Sequence, residues 1–201
     1  MDHRLIMGKM MSDLLNCAIL FAAEKHSGQI RKLENIPFIL HPLEVEVILS
    51  SLTDDENTLA AGILHDTLED TDTSAQEIAE KFGRRVLELV SSETEDKQPG
   101  KPKAETWMNR KNSSLKELAQ TDDLEVKKIW LADKLSNLRS FSRLQLIHGD
   151  HMWDMLNQKD KKKHEWYYRA IAECTAELKG TAAYTEYCTL IEFVFGGKDN
   201  G

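Results

Sequence analysis

Apolar residues recur at three- and four-residue steps along most of this chain, and runs that alternate in twos are hard to find, so the pattern predicts helices and few strands. From Ser12 to Lys25 the positions Leu14, Leu15, Ala18, Ile19, Phe21 and Ala22 form a helical stripe, with Gly28 as its terminator. A polar loop from His26 through Gln29 and Arg31 to Lys32 follows, and Pro37 to Leu40 makes a short extended approach to His41-Pro42. Proline suits the first helical position, so a second helix is expected through Val45, Val47, Ile48 and Leu49, with His41 at its mouth. Thr53-Asp54-Asp55-Glu56 offers capping groups and an acidic first turn to a third helix carrying Leu59 to Thr71. Thr73 with Gln76 reads as a capping box for a fourth helix that ends near Gly83, and another runs through Val86, Leu87 and Val90.

Between Ser91 and Lys103 the composition turns to Glu, Asp, Lys, Gly and two prolines, which predicts a mobile loop, either a lid or an ordinary solvated connection. Leu124 to Phe141 is again helical, with Val126, Ile129, Trp130, Leu131, Leu135 and Leu138 as its apolar stripe and Asp133 interrupting it. Asn137 lies one turn beyond Asp133 on the same face. Two closing helices, Lys159 to Lys179 and Thr181 to Phe195, are separated by Gly180. The expected architecture is all-α, a helical bundle in a single domain, with a motif-bearing core over about 12–141 and closing helices over about 159–195.

Composition narrows the function classes. With 201 residues, 41% hydrophobic and 30% charged, the chain fits one soluble domain. A net charge of −8 argues against nucleic acid as a general ligand, since that binding needs many cationic contacts to phosphate, while a small anion remains compatible with local neutralisation. Cys17, Cys174 and Cys188 are few, odd in number and far apart, so neither a disulfide framework nor a zinc ribbon is expected, and a reducing cytoplasm is. The N-terminus lacks signal-peptide features, and the longest apolar run, Cys17 to Ala23, is far short of the roughly 20 residues that span a bilayer. No membrane association is expected, and oligomeric state is not legible.

The densest chemistry lies in Gly62 to Thr71, where His65, Asp66, Glu69 and Asp70 follow directly on an apolar run. If the segment is one helix, His65 stacks on Glu69 and Asp66 on Asp70. Buried carboxylates need a counter-charge, and a divalent metal supplies one. Collecting the polar groups set against apolar helix faces gives His41, His65, Asp66 and Asp133, a mixed nitrogen and oxygen set suited to Mn²⁺ or Fe²⁺, with one Mn²⁺ per chain as the choice. Glu69 and Asp70, one turn further on, are placed to orient a water or take its proton; the bland alternative is a solvated acidic turn. His148 and His151 make a second spaced pair, read as surface because a glycine lies between them.

These motifs together resemble a known family. His41-Pro42, His65-Asp66 with Glu69-Asp70-Thr71, and Leu131 to Arg139 are similar in order and spacing to the HD-domain hydrolase module of the RelA/SpoT alarmone enzymes, and the loop from His26 to Lys32 matches the family's substrate-side loop. The resemblance runs from about Leu14 to Arg139; with this chain length it implies a stand-alone small alarmone hydrolase, of the type of the metazoan SpoT homologue. It implies an HD fold, Mn²⁺ held by His41, His65, Asp66 and Asp133, and hydrolysis of the 3′-pyrophosphate of ppGpp or pppGpp to GDP or GTP and pyrophosphate. By the same resemblance Arg31 and Lys32 lie against the nucleotide or its phosphates and Asn137 against the sugar. Phe38 departs from the pattern, standing where the family often has Tyr. An HD phosphohydrolase acting on an adenosine alarmone or on the 2′-phosphate of NADPH, and a non-catalytic nucleotide sensor, are the competing readings.

Overall fold

The computed structural model describes residues 3–31, 33–94 and 103–196. Its elements are α1 (His3–Lys25), the two-residue strands β1 (Ile30–Arg31) and β2 (Ile36–Pro37), α2 (Leu40–Leu49), α3 (Glu56–Leu64), α4 (Thr67–Asp70), α5 (Ala75–Phe82) and α6 (Arg84–Ser91). Then come α7 (Lys103–Gln120), α8 (Leu124–His148), a 3₁₀ segment Gly149–Met155, α9 (Lys161–Cys174), a 3₁₀ turn Ala176–Leu178, and α10 (Ala182–Phe195). The fold is all-α, as the periodicity predicts. It divides into two compact units, Met1–Arg31 with Ile36–Thr94 and Lys32–Asn35 with Glu95–Gly201. No described helix is long and apolar enough to cross a membrane.

In the first unit α3 is the hub, packed on α1, α2 and α6. Asp55 starts it, accepting from the Thr58 amide at 2.8 Å and the Thr58 hydroxyl at 2.7 Å. Every side chain from Thr58 to Leu64 is buried, so α3 has no polar face and needs neighbours all round. Gly62 permits the approach of α2: a Cβ there would stand 2.1 Å from Leu49 Cδ1. Leu49 is wholly buried and has little room to yield. Gly62→Ala is therefore expected to cost about 1–3 kcal/mol by overpacking, read from the midpoint of urea unfolding; an unchanged midpoint would refute the close packing.

Two expected boundaries move. The cap of α5 is Ser74, whose hydroxyl accepts from the Glu77 amide at 3.1 Å, rather than Thr73 with Gln76. Thr73 is instead tied to Thr71, amide to hydroxyl at 3.1 Å, so the turn uses it before the helix starts. The segment from His26 is less irregular than a polar loop, because Ile30 pairs with Pro37 and Arg31 with Ile36 in a short antiparallel ladder.

Glu46 on α2 is the costly residue of this unit. Its Oε2 is buried with no hydrogen-bond partner among the described residues, and burial pushes its carboxyl up to about 8. The folded state thus holds a proton that the unfolded chain releases at lower pH. This contribution is intact below the ordinary carboxylate range and is lost as pH rises through about 8. Allowing for the partial exposure of the side chain, Glu46→Gln is expected to gain about 2 kcal/mol over the parent at pH 9 and almost nothing at pH 4. Denaturant titrations at both pH values check this, and equal differences at the two would contradict it.

The second unit is organised on α8, which packs against α9, α10 and the 3₁₀ segment. Asp123 caps it, accepting from the Glu125 amide at 3.1 Å, and Gly149 ends it at φ 56°, a conformation that favours glycine. The helix therefore runs to His148, beyond the stripe ending at Phe141. Phe141, Trp153, His164, Tyr168 and Phe195 pack ring on ring. His164 is buried in this aromatic core; its Nε2 hydrogen-bonds the Gln158 carbonyl at 2.8 Å, while burial lowers its pKa. Arg139 makes a two-pronged ion pair with Glu186 of α10 at 2.7 and 2.8 Å. Glu34 accepts from Ser140 at 2.7 Å and from Arg143 at 2.8 Å. Helix α7 carries no element predicted from periodicity, and residues 95–102 of the expected loop lie outside the described residues.

Candidate metal centre

The segment Gly62 to Thr71 is not one helix. Helix α3 stops at Leu64 and α4 begins at Thr67, with His65 and Asp66 forming the break. The turn from Asp66 to Asp70 stays helical, with the Asp70 amide donating to the Asp66 carbonyl at 2.9 Å, so these two stand one turn apart while the expectation of one continuous helix is corrected. Side chains take over the helix carbonyls there: His65 Nδ1 donates to Gly62 O at 2.8 Å, and the Thr67 hydroxyl donates to Leu64 O at 2.6 Å. Such local bonds compete with the continuing helix.

The break turns His65 and Asp66 toward His41, which sits in the first turn of α2. The two imidazoles meet edge to face with centroids 5.2 Å apart. Asp66 Oδ2 lies 3.1 Å from His65 Nε2 and 3.6 Å from His41 Nε2. His41 and His65 are buried, and Asp66 is half-buried.

Proton bookkeeping makes this arrangement informative. A carbonyl only accepts, so the bond to Gly62 places a proton on His65 Nδ1, and in the neutral ring Nε2 then carries a lone pair. That lone pair faces a carboxylate oxygen. Two acceptors in contact require a cation between them, either a proton or a metal. The bond from Nδ1 to a carbonyl is also the usual way a metal-binding histidine is oriented. The residues present fit a divalent ion of nitrogen and oxygen preference.

Glu69 and Asp70 follow on α4, Glu69 half-buried and Asp70 exposed. Their turn is closed by Thr71, whose hydroxyl donates to Thr67 O at 2.6 Å. Two anchors from the end of α1 hold it, and neither was evident from residue spacing. Lys25 Nζ pairs with Asp72 at 3.2 Å and Glu77 at 3.3 Å, and Gln29 Nε2 donates to the Asp70 carbonyl at 2.8 Å. Arg31 lies half-buried in β1, and Lys32 is outside the described residues.

Asp133 and Asn137 belong to the second unit. Asp133 is buried on α8 and accepts from Asn137 Nδ2 at 2.8 Å, one turn away as the spacing predicts. Lys134 also pairs with Asp133 and lies over the Trp130 ring. The side chain of His151 is 94% exposed, in keeping with a surface position.

These features describe an all-helical protein with a buried histidine and aspartate cluster of metal-binding type. The chain belongs to the HD domain family, whose model matches residues 18–148. It is 39% identical over 142 residues, 71% of this chain and 18% of the relative, to guanosine-3′,5′-bis(diphosphate) 3′-pyrophosphohydrolase of Aquifex aeolicus. The chain spans about a fifth of the length of the curated relatives it matches. Among solved structures it resembles a metazoan ortholog of SpoT that hydrolyses ppGpp, with TM-score 0.70 and 28% identity, covering 89% of this chain and 93% of the other. A crystal structure from Listeria monocytogenes EGD-e is similar at TM-score 0.68 and 29% identity, covering 78% and 99%.

Proposed function

We propose that the protein is a metal-dependent alarmone hydrolase that removes the 3′-pyrophosphate of ppGpp or pppGpp, releasing GDP or GTP and pyrophosphate. The observation that carries this reading is the convergence of His41, His65 and Asp66 beside a turn bearing Glu69 and Asp70. The hydrolases named above support it, since what they act on contains this bond. In this reading the whole chain acts as a single HD domain, with Asp133 as the fourth ligand and Mn²⁺ as the ion, which suits two imidazoles and two carboxylates.

When bound, the metal supplies charge neutralisation and lowers the pKa of the attacking water. Glu69 accepts a proton from that water and Asp70 orients it. The water oxygen forms a bond to the 3′-linked phosphorus, the bond from that phosphorus to the 3′ oxygen breaks, and the 3′ oxygen takes up a proton from solvent while Glu69 returns its own to solvent. Arg31 and Lys32 hold the phosphates or the nucleotide, for which a guanidinium is suited by its two parallel donors. Asn137 holds Asp133 through its amide nitrogen, and we assign its carbonyl oxygen to a sugar hydroxyl. A net charge of −8 accords with a small anion recognised locally, and the three widely spaced cysteines accord with a cytoplasmic enzyme.

The test is a Mn²⁺-loaded assay over ppGpp, pppGpp, an adenosine alarmone and NADPH with product identification. Pyrophosphate with GDP or GTP is expected. Phosphate release from NADPH alone would assign the protein to a different HD reaction. Binding without turnover of any of them would make it a sensor.

A further inference from the structure

The loop after α1 contains a side chain that the proposed chemistry leaves without a role. Gln29 is bonded in two directions at once, to His26 Nδ1 through Oε1 at 2.9 Å and to the Asp70 carbonyl through Nε2 at 2.8 Å. Its backbone makes further ties: its amide donates to His26 O at 3.0 Å, and its carbonyl accepts from the Phe38 amide at 3.0 Å. The Phe38 carbonyl in turn accepts from the His41 amide at 2.9 Å. One residue thus joins the turn that bears the carboxylates to the helix mouth that bears a histidine of the metal cluster.

The protons along this path follow from the acceptor at its end. The Asp70 carbonyl only accepts, so the Gln29 amide nitrogen faces it and the Gln29 oxygen faces His26. His26 Nδ1 must then carry a proton, which leaves Nε2 as the bare nitrogen of the neutral ring. His26 is 2% exposed, its Nε2 has no hydrogen-bond partner among the described residues, and its ring lies on Phe38 with centroids 4.7 Å apart. The Asp70 carbonyl thus fixes which way the Gln29 amide points, and the buried, stacked His26 ring supplies the matching donor to its oxygen.

We infer that Gln29, held between His26 and the Asp70 carbonyl, is a positioning residue that keeps the Glu69-Asp70 turn in register with His41. This rests on the proposed hydrolysis for its consequence and on the hydrogen bonds for its geometry. A group that positions a proton acceptor acts in the transition state more than in substrate binding. Loss of the Gln29 bonds therefore lowers kcat and spares KM.

Gln29→Met, a neutral change of similar size, is expected to lower kcat about tenfold, with KM within about twofold of the parent. Gln29→Glu keeps the acceptor for His26 and loses the donor to Asp70, so it is expected to lower kcat while His26 keeps its tautomer. Two readings need no turnover. The ¹⁵N imidazole resonances of His26 are expected to show the Nδ1-protonated form in the parent and in Gln29→Glu, and to lose it in Gln29→Met. Amide exchange over residues 66–73 is expected to quicken in both variants, while exchange across α8 stays unchanged. If the parent releases no pyrophosphate, the hydrolase reading fails and exchange and tautomer still decide the positioning role. An active parent with kcat within twofold in both variants, unchanged exchange over 66–73, or an Nε2-protonated His26 would overturn the inference.

Discussion

Asp66→Ala is expected to reduce metal-dependent pyrophosphate release by roughly 10³-fold, about 4 kcal/mol of transition-state stabilisation. Asp66 Oδ2 lies 3.6 Å from His41 Nε2 and 3.1 Å from His65 Nε2. Removing it takes away one of the two carboxylates proposed to hold the cation. The side chain makes no capping hydrogen bond to α4. Thermal unfolding with and without chelator separates the causes. A bound ion stabilises the folded state in proportion to the logarithm of its concentration over Kd. Chelator should lower the Tm of the parent and leave that of Asp66→Ala where it was. A variant that still responds to Mn²⁺ as the parent does would remove Asp66 from the ligand set.

The second large effect is expected at Glu69. Glu69→Gln keeps the length and shape of the side chain and loses only its capacity to take a proton. If Glu69 is the base, kcat falls by about 10²–10⁴, the usual contribution of a positioned acid or base. The chelator-sensitive Tm and KM should stay near parental values, because neither the ion nor the bound substrate needs that proton acceptor. Steady-state kinetics with pyrophosphate detection measures this, and a kcat within threefold of the parent would return the turn to the bland reading of solvated charge.

The contrast between these residues and Gln29 shows where residue patterns carry far and where they stop. His65-Asp66 and Glu69-Asp70 stand out in one dimension, because several ligating groups directly follow a run of buried apolar residues. The pairing of Asp133 with Asn137 is equally legible, since one turn of helix separates them and α8 is regular there. The bond from Gln29 to Asp70 spans 41 positions in the chain, and nothing about a glutamine in a polar loop indicates its partner. Helix α7 escaped for a different reason. Its residues are polar enough that the apolar stripe is thin: among the described residues its buried apolar side chains are Trp107, Leu115 and Leu118.

The amino-acid sequence by itself determined the helical class, the start of α3, the existence of α6, the extent of α10 to within a residue, and the identities of the candidate ligands, because these follow from periodicity, capping and composition within short windows. Tertiary structure decided the break at His65 and Asp66. There the side chains of His65 and Thr67 claim the carbonyls of Gly62 and Leu64, in a site packed around His41. A regular helix would have stacked His65 on Glu69. The competition between helix bonds and side-chain bonds is settled by burial and by neighbours distant in the chain, and that is what sets an imidazole nitrogen 3.1 Å from a carboxylate oxygen.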